Sequence, residues 1–239
     1  MRLEQLRNSL RALEKPAALK GGPGCVALGI AGIDAALGGG LARGALHEIA
    51  AASEAHLAAA SGFVLGLACK RGHLCWIAED MALAESGALH GGGLDAFGLA
   101  PERLLTVAAA RPRDLLWAME EALRCRAIGA VIGELRQSEI DMVMLRRLSL
   151  AAADSGALAL LWRAAPPTDA STAATRWIVG ASPSATASPR FAAQLTRNRR
   201  GPLGAWILEW SDSDERFLLA TPAQPVAAPA LDRPHRQVA

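Results

Sequence analysis

Tyrosine is missing from this 239-residue chain, phenylalanine occurs four times, and Lys70 is the only lysine beyond residue 20. Six tryptophans therefore carry most of the aromatic mass. A core built largely on alanine buries little area per residue, so helices must lie close to any sheet they cover. No Gly-Lys dipeptide occurs anywhere, which excludes a regular phosphate-binding loop of the G-x-x-x-x-G-K-[ST] type. The cysteines (Cys25, Cys69, Cys75 and Cys125) form no C-x-x-C pair, and no histidine stands at zinc-ligand spacing from them. Four reduced, mostly buried thiols are expected, as suits a reducing cytoplasm. The N-terminus lacks the apolar run of a signal peptide. The longest apolar stretch, Leu57 to Cys69, is diluted by Ala and Gly and too short to span a bilayer. The net charge of +2 is too small to mark a nucleic-acid binder by itself.

What is present is globular. Apolar residues make up 51% and charged residues 20%, and the length suits one large domain. Leu3, Leu6, Leu10 and Leu13 recur at spacings of three and four, so residues 2–15 read as an amphipathic helix. Pro16 limits it, and Lys20-Gly21-Gly22-Pro23-Gly24 reads as a flexible linker. Such a stripe serves equally as core or as a docking face for a neighbour. After Thr221, Pro222, Pro225, Pro229 and Pro234 with Ala and polar residues read as a disordered tail. The expected organisation is helix and linker over 1–20, one domain over 21–220, and a tail over 221–239.

Within that domain, strand and helix signals alternate. Strands are predicted over Ala45–Ala50, His73–Ala78, Arg103–Ala108, Ile128–Gly133 and Ala157–Trp162. Helices are predicted over Leu57–Lys70, Met81–His90, Arg113–Arg126 and Asp141–Ala153, with Gly91-Gly92-Gly93 as a break. This alternation implies an α/β fold with a mostly parallel sheet and helices on both faces. Strand-like runs follow at Trp177–Gly180, Phe191–Thr196 and Trp206–Trp210, with Phe217–Ala220 as a candidate fourth. No helix separates them, which predicts an antiparallel extension of the sheet.

The segment from Leu28 to Ile49 contains Leu37-Gly38-Gly39-Gly40-Leu41 and ends in His47-Glu48-Ile49. It resembles the segment that leads into the first core strand of the RecA/Rad51/KaiC superfamily. In active members of that superfamily the P-loop comes next. Its glycines let backbone N–H groups approach phosphate, its lysine neutralises the terminal phosphates, and its hydroxyl holds Mg²⁺. Here that stretch reads Ser53-Glu54-Ala55-His56-Leu57-Ala58. Leu57 stands at the lysine position, Ala58 at the hydroxyl position, and Glu54 would repel phosphate. The resemblance thus implies a degenerate Walker A motif, no hydrolysis, no cofactor and no metal. Two other landmarks are similar to ATPase remnants. Glu79-Asp80 ends a strand where active members keep a catalytic glutamate, with Asp80 in register. Ala130 to Glu134 resembles a Walker B strand with its acid displaced. Acids at strand ends are also ordinary polar termini.

Further along, Ala173 to Trp177 resembles the end of a recombinase DNA-binding loop, and Leu195 to Pro202 resembles a basic strand end of the same superfamily. Together with the lost P-loop and the Trp206 to Trp210 strand, these features are similar to the ImuA family of SulA-related, RecA-like proteins. That resemblance implies a DNA-damage-induced, SOS-type accessory role in translesion synthesis and mutagenesis. The implied partner is ImuB, a Y-family polymerase homologue, which serves an error-prone replicative-type polymerase. A divergent RecA-like ATPase and a SulA-like cell-division inhibitor are the alternatives. The leucine stripe is expected to dock on its own domain, on a second copy of the chain (self-association) or on ImuB. Arg190, Arg197, Arg199 and Arg200, with Asn198 and the nearby Arg176, form an acid-free run that suits either phosphate or a protein partner. Trp177 fits a core position better than a base-stacking platform.

Overall fold

The computed structural model describes residues 24–136, 140–168 and 170–220. The leucine stripe and the proline-rich tail fall outside the described residues. A small hairpin-like pair comes first, β1 (Cys25–Val26) antiparallel to β2 (Leu41–Ala42), enclosing helix α1 (Ala31–Ala36). The carboxylate of Asp34 accepts the backbone N–H groups of Leu28 and Gly29 and so fixes the approach to α1. Gly38, Gly39 and Gly40 all have positive φ, and at Gly40 (φ 116) a side chain would strike the carbonyl of Val26. Only glycine fits that turn.

One nine-stranded sheet organises the rest. Its strands are β3 (Ala45–Ala51), β4 (His73–Glu79), β5 (Leu104–Ala109), β6 (Ile128–Leu135), β7 (Leu158–Arg163), β8 (Thr175–Ala181), β9 (Arg190–Asn198), β10 (Gly204–Ser211) and β11 (Arg216–Leu219). Their spatial order is β11-β10-β9-β8-β3-β7-β6-β4-β5. The strands from β8 to β5 in that order are parallel. β9, β10 and β11 add antiparallel at the other side. The sequence assigns Trp177–Gly180 to the antiparallel extension; instead β8 pairs parallel with β3, and the reversal begins at β9. β7 and β8 lie on either side of β3, and the described residues of the 164–174 connection form no helix. Strands β3, β4, β6 and β7 are buried on both faces, which is why they read as continuous apolar runs rather than alternating ones.

Helix α2 (Leu57–Ala68) covers one face. There Phe63, Trp177, Phe191, Trp210 and Phe217 form a cluster of tilted and edge-on rings with centroids 5.2–6.0 Å apart. Such ring pairs add about 0.5–1.5 kcal/mol each beyond their buried area. Trp177 is fully buried, as its core reading requires. Gly62 and Gly66 on α2 let the helix approach these rings. On the opposite face lie α5 (Pro112–Arg124) and α6 (Met142–Ser155). Proline in the first turn starts α5. Asp141 caps α6 by accepting the Val143 N–H.

Two short helices, α3 (Asp80–Ser86) and α4 (Gly91–Asp95), stand where the sequence predicts one helix with a glycine break. The break falls earlier, at Gly87 (φ 76). The Gly91–Gly93 run is helical because the His90 ring caps it, accepting the N–H of Gly92. The thiols also divide differently from expectation. Cys69 and Cys75 are buried, and burial pushes both up, Cys75 to about 11. Cys25 and Cys125 are exposed, because one opens the edge pair and the other follows the end of α5.

Candidate functional site

In open α/β sheets, ligands settle in the crevice at the carboxyl ends of the parallel strands. Here that crevice is bounded by the ends of β3, β4, β6 and β7. After β3, Ser53 is extended, Glu54–His56 form one 3₁₀ turn, and Leu57 begins α2. None of residues 51–58 has a positive φ, so the backbone does not take the glycine-dependent path that turns successive N–H groups onto a phosphate. His56 points back to the sheet instead, its Nδ1 accepting the N–H of Ala181 at 3.1 Å.

Across the crevice, Glu79 and Glu134 are both buried. Arg136 joins them. Its backbone N–H donates to Glu79 at 2.8 Å, and its guanidinium donates to Glu134 at 2.8 and 3.0 Å and to the Ser86 hydroxyl at 2.9 Å. The same guanidinium lies 5.0 Å from the Trp162 ring centroid, and the indole N–H of Trp76 donates to the other oxygen of Glu134. Both acids thus act as acceptors that fasten neighbouring strand ends. Asp80 lies exposed in the first turn of α3, apart from this lattice. Within the crevice the Arg136 guanidinium is paired with Glu134, and Glu79 accepts a backbone N–H. Lys70 lies past the far end of α2, where it contacts Glu215 and the carbonyl of Asp214.

The predicted arginines do not form one surface. Arg190 opens β9, while Arg199 and Arg200 follow its last residue, about 30 Å away at the rise of a strand. Arg190 pairs with Glu209 at 2.6 Å. Arg176 pairs with the fully buried Glu48 at 2.6 Å, and Ser171 donates to the second oxygen of that carboxylate. Arg200 donates to the carbonyl of Gly38 and the sulfur of Cys25, and Asn198 to the carbonyls of Ala36 and Pro202. These contacts tie β9 to the glycine turn after α1. Arg197 lies opposite Arg176 and donates to the carbonyl of Ala173; burial first, then Arg199 and Arg176, hold its guanidinium below the usual range. Arg199 is exposed, and its side chain has no ion pair or hydrogen bond among the described residues.

Two features lie beyond sequence reading. One is Arg136, whose only local sign is an arginine two residues after a strand-end acid. The other is His47, fully buried, which bridges Thr175 and the carbonyl of Ala42. Burial, with the nearby Arg200, lowers its pKa to about 4 against the opposing pull of the Ala42 bond. Among the described residues there is no group of three or more potential metal ligands, and no helix is long and apolar enough to cross a membrane.

Sheet order, helix placement and the strand-end crevice define a RecA-like α/β core. The solved structure of the RadB recombinase matches it with a TM-score of 0.55 at 13% identity, covering 80% of this chain and 98% of that one. No family model matches the chain. The chain is similar to Protein ImuA of Caulobacter vibrioides. The likeness is 28% identity over 196 aligned residues, 72% of this chain and 77% of the relative, and it is the same for the proteins of strains NA1000 / CB15N and ATCC 19089 / CIP 103742 / CB 15.

Proposed function

We propose that this chain is a non-enzymatic accessory protein of a DNA-damage-induced translesion synthesis complex in the cytoplasm. It works beside an ImuB-like, Y-family polymerase homologue that serves an error-prone replicative-type polymerase. The observation that carries the reading is the likeness to Protein ImuA across most of both chains. The strand-end crevice supports its non-enzymatic part. Leu57 and Ala58 stand in the first turn of α2 where a nucleotide's phosphates would need a cation and a hydroxyl. The Arg136 guanidinium is engaged by the buried Glu134 carboxylate, and the residue's backbone N–H by Glu79. A nucleotide would have to break this lattice and bring its own charge compensation.

The test has two arms. The full chain is mixed with a full-length ImuB homologue from the same genome, and complex formation is measured by sedimentation or calorimetry. Melting is then followed with and without Mg-ATP. A saturable complex and an unchanged melting temperature are expected. Failure of the complex overturns the partner assignment. A nucleotide-dependent rise in melting temperature, with turnover lost in Asp80→Asn or Glu134→Gln, restores the ATPase alternative.

A further inference from the structure

Helix α6 carries two apolar stripes where a helix on a sheet needs one. Leu145, Leu148 and Ala152 face the core. On the other side, Met142, Val143 and Leu150 are 42%, 61% and 60% exposed. With Arg146 and Ser149 they follow the i, i+1, i+4, i+7, i+8 spacing of a single helix face. Thr172, from the crossover between β7 and β8, and Arg199, just past β9, close the other wall of a shallow groove of about 410 Å³. Ser149 and Thr172 hydrogen-bond to each other at 2.8 Å and fix the two walls together.

We propose that this groove is the docking surface for an acidic, amphipathic helical segment of a protein partner. The charge on the groove argues for that chemistry. Arg146 and Arg199 line it, and neither side chain has an ion pair or hydrogen bond among the described residues. Among the described residues no acidic side chain lines the groove, and the adjacent carboxylate of Asp141 is engaged in capping Val143. Two cations on an aliphatic floor suit a helix that presents leucine-type anchors at three- and four-residue spacing with carboxylates beside them. The floor is aliphatic, and among the described residues no aromatic ring lines it. A single strand of nucleic acid uses aromatic platforms to stack its bases, so protein is the better occupant. The inference rests on the accessory-protein reading in one respect: such a protein acts by holding partners.

Three probes test it against the full-length chain: the full-length ImuB homologue, a display library of random peptides about twenty residues long, and oligothymidylate. The variants are Val143→Asp/Leu150→Asp, Arg146→Glu/Arg199→Glu, and Trp117→Ser as an exposed control on α5. All replace exposed side chains, so melting temperatures should stay close to wild type, which checks that each variant is folded. The peptides selected should be acidic and amphipathic, and both double variants should weaken them about tenfold or more, with the control unchanged. Binding of the ImuB homologue should fall in parallel. A library that yields no binders, or binders that are basic or indifferent to both double variants, overturns the proposal even if ImuB binds wild type. If ImuB fails to bind while peptides behave as expected, the partner assignment falls and the groove stands. If only oligothymidylate binding responds, and only to the arginine variant, the surface belongs to nucleic acid and the proposal is rejected.

Discussion

Acidification should expose His47. Its ring is fully buried between the small β1–β2 pair and the main sheet. Nε2 lies 2.9 Å from the carbonyl of Ala42 and must donate to it. Nδ1 lies 2.8 Å from the hydroxyl of Thr175, which also accepts the indole N–H of Trp177 at 3.1 Å. The hydroxyl therefore donates to Nδ1, and the imidazole is held neutral in the Nε2–H tautomer. Its pKa is about 4 in the fold against 6.5 for a histidine open to water. Between those values the unfolded chain binds the extra proton and the native chain does not. Stability is therefore complete above pH 6.5 and is lost as pH falls toward 4. The shift is worth about 3 kcal/mol at its full extent. For a domain of this size that corresponds to roughly 6–12 °C in melting temperature. Carboxylates add their own acid loss, so the diagnostic is the difference between wild type and His47→Gln. The two melting curves should diverge over this pH window, with wild type losing more. Nitrogen-15 shifts of the ring should report the Nε2–H tautomer down to about pH 4. Parallel stability curves, or a ring that titrates near 6.5 in the folded protein, would refute the reasoning.

Arg176→Ala strands the carboxylate of Glu48 in the core and should cost about 3–5 kcal/mol in denaturant melts, while Glu48→Leu/Arg176→Met should recover much of that loss. A single-variant cost below about 0.5 kcal/mol, the range of surface changes, would show that the pair is not a buried one. Gly66→Ala pushes a methyl group into the rings of Phe217 and Trp210; a loss of about 1–3 kcal/mol and a weakened near-ultraviolet signal are expected, and an unchanged melt counts against the packing described. Gly40→Ala should cost at least as much, through positive φ and the clash with Val26, and expression of a fully stable variant would contradict the turn geometry.

Much of this architecture is legible in the chain. The alternation of apolar runs with periodic segments marks the parallel sheet, and the Leu28–Ile49 segment marks the approach to β3. Elements stand within a few residues of their predicted bounds, because Pro112, Asp141 and Gly156 punctuate them locally. What is not legible depends on residues far apart in sequence. His47 and Thr175 are 128 residues apart and meet because β3 and β8 are neighbours. Arg136 closes the crevice only because β6 lies between β4 and β7, a placement that composition does not encode. The arginine run looks continuous because sequence counts residues, whereas a strand of nine residues spreads its ends across the sheet and lets Glu209 and Glu48 claim two of them. β8 reads as part of the antiparallel half because the residues before it carry no helix signal in the sequence, the usual sign of a parallel connection.

The position of β3 sets an order on chain assembly. It is the first strand of the large sheet to leave the ribosome, yet both its neighbours, β7 and β8, come more than a hundred residues later. β4, β5 and β6 can pair with one another as they appear. β3 and the adjoining α2 must wait, with apolar faces uncovered, until residue 181 has been made. Topologies so rich in distant contacts fold slowly, and a nascent chain with an open central strand is a natural client for a holding chaperone. Arrest of synthesis between β6 and β8 should therefore give a species that aggregates, while release of the full chain completes the sheet in one late step.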